Sequence, residues 1–498
     1  MNVQNKKIFS NGIIYLFSSV LTQLINLFLI PLYTRNLSQA EYGNFDLIIS
    51  VQQLLGIAIT LGVYSGMVRF FNEFEDKNNL KNTAITFSLI WGSLCIGIAY
   101  IANPWLFPLL FGQEPNAHIF IPLIIISSVC ICLNTTYSSF HSMRFNALKS
   151  SAIQFSSILT TLFFAIIFFI ILKMGIVGIL MAQFFGNLTV FMFLFIMDLR
   201  NYKPMLKLEQ LRNMLRYGSG LLMGDVSAWV LTLSDRFLIK GYMNLSSVAV
   251  YSVGYKVGML INPVFINPFA SVFTPFKYAV YKEANGAEQI GKMFRFYNVI
   301  GWFSVLGLSL FANIAVDLVA PVEYRAAGNL VPIIALSYFL SGAIAFYSLG
   351  LHIANKVKIN SMITIFVALI NIAANIILIP WIGIYGSAIS TVIAYVIANG
   401  VFYYYGSKYY KLEFGLLYPY KFLIITGPLY GVYFICNHFI DLIFVELLLN
   451  AVLCVVFVLL IIRFNFVTKE ELVVVLKRLR SLLRKKKEAE DKGVPSEL

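Results

Sequence analysis

Apolar residues fill runs of about 20 positions that recur along almost the whole chain, with short polar links between them. Hydrocarbon offers no partner to a backbone N–H or C=O. A chain that crosses it must close those hydrogen bonds internally, and a helix does so with about 20 residues. The runs predict membrane-spanning helices near 12–34, 43–66, 83–104, 119–140, 151–172, 176–197 and 217–238. Seven more follow near 247–272, 296–318, 328–350, 360–380, 384–406, 420–438 and 442–462. The predicted fold class is an all-α polytopic membrane protein with fourteen transmembrane helices. Buried helices of soluble proteins are shorter and do not recur at this length. The first run is too long for a signal-peptide core, and Pro31, Arg35 and Asn36 stand where a small-residue cleavage site would be. It is therefore expected to remain as a spanning helix.

The polar links alternate in charge. Lys6 and Lys7 precede the first run. Arg69, Lys77 and Lys81 follow the second; Arg144 and Lys149 follow the fourth; Arg200, Lys203, Lys207, Arg212 and Arg216 follow the sixth. The same holds after runs eight, ten and twelve and in the tail, so that 31 of the 37 basic residues fall on one side. The opposite links carry only Arg35, Lys173, Lys240 and Arg325, with Arg236 near a boundary. Basic residues stay on the cytoplasmic face, which predicts both termini inside. Topology thus accounts for the formal charge of +14. No nucleic-acid-binding motif accompanies it, and no nucleic-acid partner is expected. In the tail, Leu472, Val475, Leu476, Leu479 and Leu483 recur at helical spacing among Lys477, Arg478, Arg480 and Arg484. That pattern predicts an amphipathic helix on the inner leaflet, with a solvated basic tail as the alternative.

Two halves of the chain echo each other. Asn36-Leu37-Ser38 and Asn244-Leu245-Ser246 are 208 residues apart, and so are Gly175-Ile176-Val177-Gly178 and Gly383-Ile384-Tyr385-Gly386. An offset that spans six helices predicts parallel repeats about an axis along the membrane normal. The expected units are an N-terminal lobe (1–198), a cytoplasmic link (199–216), a C-terminal lobe (217–407), two further helices (408–463) and a basic tail (464–498). Gly56, Gly62 and Gly66, and Gly218, Gly220 and Gly224, suit close helix packing. Pro263 and Pro268 predict broken helix geometry in the eighth run.

Composition narrows the chemistry. Only 12% of residues are charged, against about one quarter in soluble domains. Charges inside the runs therefore stand out, because they are costly in hydrocarbon. They are Asp46, Asp225, the pair Asp235-Arg236, and Lys256. Pairing between acid and base inside the bundle is the structural alternative to a functional role. For Arg35, Arg236, Arg69 and Arg144, near run ends, the alternative is snorkelling to headgroups. No HExxH, GxSxG or Walker A motif is present, and His118, His141, His352 and His438 are scattered. The chain is not expected to be an enzyme or to carry a cofactor or metal. Transport coupled to a Na+ or H+ gradient or to the membrane potential fits better. The five cysteines, Cys95, Cys130, Cys132, Cys436 and Cys454, all lie in apolar runs and are expected as buried thiols.

Gly12-Ile13-Ile14-Tyr15, the stretch from Ile30 to Arg35, Leu37-Ser38 and Glu41-Tyr42-Gly43 resemble the opening of bacterial polysaccharide-export flippases. That family lies within the multidrug/oligosaccharidyl-lipid/polysaccharide exporter superfamily. Ser234-Asp235-Arg236-Phe237, Val250-Tyr251-Ser252 and Gly254-Tyr255-Lys256 are similar to their second-lobe opening. The resemblance covers roughly residues 1–465. It implies a V-shaped, fourteen-helix carrier in the bacterial cytoplasmic membrane, turning undecaprenyl-diphosphate-linked oligosaccharide from the inner to the outer leaflet by alternating access. It implies glycosyltransferases and a polysaccharide polymerase as pathway partners, and a monomer suffices because two lobes supply both cavity walls. Arg35, Lys256 and Arg236 are then the candidates for the diphosphate, Asp46, Asp225 and Asp235 for coupling or gating, and Arg69 and Arg144 for an inner gate or topology. The central positives are fewer than in carriers of peptidoglycan precursor, so a capsule, O-antigen or exopolysaccharide repeat fits better. Two other readings stand beside this one: an ion-coupled drug or small-metabolite exporter, and a nontransporting scaffold of envelope assembly.

Overall fold

The computed structural model describes residues 25–111, 117–437, 439–440, 442–464 and 466, together with 14, 18 and 21–23. The predicted tail helix at 467–487 lies outside the described residues. Eleven of the described helices are long and apolar enough to cross a membrane. Of the fourteen predicted runs, three fall short of that standard. The first is seen as a short helix, α1 (Leu21–Thr34). The seventh is long but polar, and the thirteenth spans only Leu423–Asn437.

The N-terminal half continues with α2 (Gln39–Thr60), α3 (Val63–Phe70), α4 (Lys77–Phe111), α5 (Ala117–Met143), α6 (Ala147–Ala165) and α7 (Gly175–Asp198). Ser38 starts α2 through a capping box. Its hydroxyl accepts from the Glu41 N–H at 3.3 Å, while the Glu41 carboxylate accepts from the Ser38 N–H at 2.8 Å. The second run is two helices rather than one. Leu61 and Gly62 both take positive φ and separate α2 from α3. A Cβ on Gly62 would lie 2.5 Å from the Gly218 Cα, so this break is also where two backbones touch.

The C-terminal half holds α8 (Leu208–Leu233), α9 (Asp235–Tyr242), α10 (Leu245–Gly258), α11 (Asn267–Val280), α12 (Gly286–Leu310), α13 (Ala312–Val319) and α14 (Val331–Tyr347). Next come α15 (Leu349–Ile353), α16 (Val357–Ile382), α17 (Ile384–Ser407), α18 (Leu423–Asn437) and α19 (Ile443–Arg463). Helix α8 begins at Leu208, so the link is shorter than 199–216. Met214 is fully buried with Val63 and Met67 of α3, and this packing carries the helix through the basic stretch. The predicted break in the eighth run is a π turn, Asn262–Ile266, at Pro263. Gly175 (φ 57°) and Gly383 (φ 60°) open α7 and α17 at corresponding places.

One large apolar core lies within α2 and α4–α7, and another within α8, α11, α12 and α14–α19. Helices α18 and α19 belong to the second. The Asn450 amide of α19 donates to the Leu310 carbonyl at 2.8 Å, and the ring of Phe457 is fully buried there. The halves meet where α2 packs on α10, and again where α3 packs on α8. Of the five cysteines, Cys130 and Cys132 are buried and the other three are half-buried; all are free thiols.

Candidate functional site

Residues four apart share a helix face. On α2 that face carries Tyr42 and Asp46, and on α10 it carries Ser252 and Lys256. Gly43 allows the two helices to close, since a Cβ there would lie 2.0 Å from the Leu245 carbonyl oxygen. The result is a polar cluster at the junction of the two halves. The Asp46 carboxylate accepts from the Arg236 Nε at 2.6 Å, from the Ser252 hydroxyl at 2.6 Å and from the Lys256 ammonium at 2.9 Å. The Arg236 guanidinium also donates to Asp235 at 3.1 Å and to the Thr232 carbonyl at 2.8 Å, and it lies over the Tyr255 ring at 4.7 Å. Tyr251 donates to Asp235. Lys256 donates to the Tyr42 hydroxyl at 2.8 Å. Two cations thus face two carboxylates, as buried charges require.

The cluster forms one end of a central cavity. Two adjoining chambers of about 820 and 540 Å³ share Asn26, Tyr33, Gln53, Gln183 and Thr232. The larger has an amide- and hydroxyl-rich wall that includes Gln52, Ser128, Thr135, Thr161 and Asn187. The smaller reaches Asp46, Arg236 and Lys256. The Lys256 side chain is 29% exposed, against 3% for Arg236 and 6% for Asp46, so the lysine is the cation the cavity meets most openly.

The sequence-predicted residues therefore divide. Asp46, Asp235, Arg236 and Lys256 come together, in the acid–base pairing that stood as their structural alternative. Asp225 lines the larger chamber, exposed and with no partner among the described residues. Arg35 does not reach the cavity. It is exposed beyond α1 in a shallow hollow with Asp317, Glu323 and Arg325. Arg69 is an exposed residue paired with Glu73 at 2.5 Å. Arg144 donates to the Asn78 side chain at 3.0 Å and covers the Phe140 ring at 4.3 Å, away from the central cavity. Sequence reasoning missed Tyr42, Ser252 and Tyr251, whose hydroxyls complete the cluster. It also missed the buried ion pair of Lys81 with Asp198 at the ends of α4 and α7. The signal for the cavity wall was available in Gln52, Gln53, Gln183 and Asn187, amides placed within apolar runs.

A family model described as "Polysaccharide biosynthesis protein" matches residues 8–276, more than half of the chain. The chain belongs to this family. With it, the chain belongs to the multidrug/oligosaccharidyl-lipid/polysaccharide exporter superfamily, whose members are membrane transporters rather than enzymes. No curated protein matches it. Solved structures share the fold at low identity. The lipid II flippase MurJ in an inward closed conformation is 17% identical with a TM-score of 0.67, over 91% of this chain and 98% of that one. An inward-facing multidrug resistance MATE family transporter is 18% identical with a TM-score of 0.63, over 78% of this chain and 94% of that one. A superfamily transporter from Pyrococcus furiosus is 18% identical with a TM-score of 0.57, over 81% and 95%. Among the described residues, no three His, Cys, Asp or Glu side chains converge as a metal site would require.

Proposed function

We propose that the protein is a flippase that carries polyprenyl-diphosphate-linked oligosaccharide from the inner to the outer leaflet of the bacterial cytoplasmic membrane. Fourteen spans in two six-helix lobes plus two C-terminal helices, both termini inside, form the proposed working monomer. The observation that carries the reading is the Asp46 cluster, which joins the two halves beside a polar cavity. A sugar-diphosphate head is too polar to cross hydrocarbon unaided, and the amides and hydroxyls of the cavity wall replace its water. The diphosphate is an anion and competes with Asp46 for Lys256. Binding of the cargo would thus loosen the clasp between α2 and α10 and bias the halves toward the outward-open state. A ligand shifts such an equilibrium only by binding the two states differently, and this exchange of anions supplies the difference. Asp225 is the proposed coupling residue, an acid with no partner among the described residues and so available to Na+ or H+.

A second reading has specific support. Several of the solved structures that share the fold are multidrug transporters, and the cavity presents in Asp225 an acid with no partner among the described residues, while its cations are paired with carboxylates. These features favour ion-coupled export of a cationic drug or small metabolite. The family description and the MurJ likeness favour the lipid-linked cargo. Reconstitution decides between them. Proteoliposomes should move a labelled polyprenyl-diphosphate sugar between leaflets, faster under an imposed ion gradient. Export of a soluble organic cation with no movement of the lipid-linked sugar would establish the exporter instead.

A further inference from the structure

A second cavity, of about 720 Å³, lies in the N-terminal half and shares no lining residue with the two chambers above. Its origin is in how α6 and α7 pack. They are held together at one end by glycines. A Cβ on Gly186 would lie 2.7 Å from the Thr161 Cα, and one on Gly178 would lie 2.7 Å from the carbonyl oxygen of Phe168, in the π turn Ile166–Ile171 that continues α6. Toward Ile153 and Met197 a groove opens between them, floored by α5. Its walls are apolar and open to the surroundings: Phe193 is 62% and Met197 67% exposed. Its mouth is basic. Lys81 is neutralised by Asp198, but Arg144 and Lys149 are exposed and, among the described residues, pair with no carboxylate.

We propose that this groove binds one diacyl phospholipid with an anionic headgroup. The phosphate sits between Arg144 and Lys149, and an acyl chain follows Ile153, Val190, Phe193 and Met197. Charge complementarity selects this occupant. Two uncompensated cations at the mouth of an apolar groove match a negative head on an apolar tail, and basic pockets between helices on the cytoplasmic side are where such heads bind. Arg144 and Lys149 stand on the basic side of the chain, which the charge bias puts at the inner leaflet.

Native mass spectrometry of the full chain in detergent tests the proposal, and it reads lipid retention without transport. A failure here leaves the cargo assignment untouched. The wild type should retain one phosphatidylglycerol in preference to phosphatidylcholine. Arg144→Gln with Lys149→Gln should weaken that retention about thirtyfold, since each basic residue near an anionic head contributes about fivefold. Ser156→Trp, which fills the groove and keeps both cations, should also lose the lipid. If thermal unfolding in phosphatidylcholine shows that variant misfolded, Thr189→Trp fills the groove from the opposite wall. Undiminished phosphatidylglycerol retention in the charge variant or in the folded filled variant overturns the proposal. So does full displacement of the lipid by glycerol 3-phosphate, which would make the site one for a free phosphate.

Discussion

Asp46 accepts three hydrogen bonds from two other helices, so its removal acts on both halves at once. Asp46→Asn keeps the shape but leaves Lys256 without a carboxylate, while Arg236 retains Asp235. Breaking one side of a buried pair costs about 3 kcal/mol or more. Thermal unfolding in detergent should show that loss, and Asp46→Asn combined with Lys256→Gln should recover part of it. A double variant as unstable as the sum of the singles would mean the two residues are not coupled. Arg35→Ala, in contrast, should change stability by no more than about 0.5 kcal/mol and leave transport intact, because the side chain is exposed and apart from the cavity. A substantial transport defect in that variant would return Arg35 to the cargo path. Both the acids and the bases were readable from the sequence as costly charges. Which of them are paired was not, since Asp46 and Lys256 are separated by most of the N-terminal half and meet only through helix packing.

Helices α2 and α3 behave as one predicted run split by backbone geometry. Gly62 has a positive φ and lies against Gly218, so Gly62→Val meets both a strained conformation and a blocked contact. We expect that variant to lose several kcal/mol and to give little monodisperse protein; a normal yield and melting temperature would show that α3 and α8 can separate freely. Apolar periodicity could not reveal this break, because a turn of two residues inside a long apolar run leaves the pattern intact. Pro263 did reveal one, since a ring without an N–H leaves a local mark. The early start of α8 was hidden for the opposite reason. Arg212 and Arg216 read as a polar link, whereas burial of Met214 against Val63 and Met67 holds the same residues in a helix.

At the scale of the whole molecule, alternating access requires the α2–α10 junction to open. The Gln39 amide of α2 donates at 2.7 Å to the carbonyl of Glu323, in the 3-10 helix Val322–Leu330 that follows α13, at the same end as the Asp46 clasp. In a chain whose native cysteines are replaced, Gln39→Cys and Glu323→Cys joined by a short bismaleimide should abolish transport, while each single variant remains active. Full activity of the joined protein would mean that this end does not separate during the cycle. The topology makes its own prediction. Single cysteines placed between Arg200 and Lys207 should react with impermeant reagents only from the cytoplasmic side, and labelling from outside would invert the assignment.

By itself the sequence determined that this is a polytopic helical membrane protein and which family it resembles. Both follow from local facts: runs long enough to cross hydrocarbon, charges biased to alternate links, and short motifs. It also marked Asp46, Arg236 and Lys256 as residues needing an explanation. Only the tertiary structure decided that these three share one cluster, that Asp225 stands in the cavity with no partner among the described residues, that Arg35 lies outside it, and that α6 and α7 diverge into an apolar groove. Those outcomes depend on which helix faces meet and how closely their backbones approach, and that is set by packing between segments far apart in the chain.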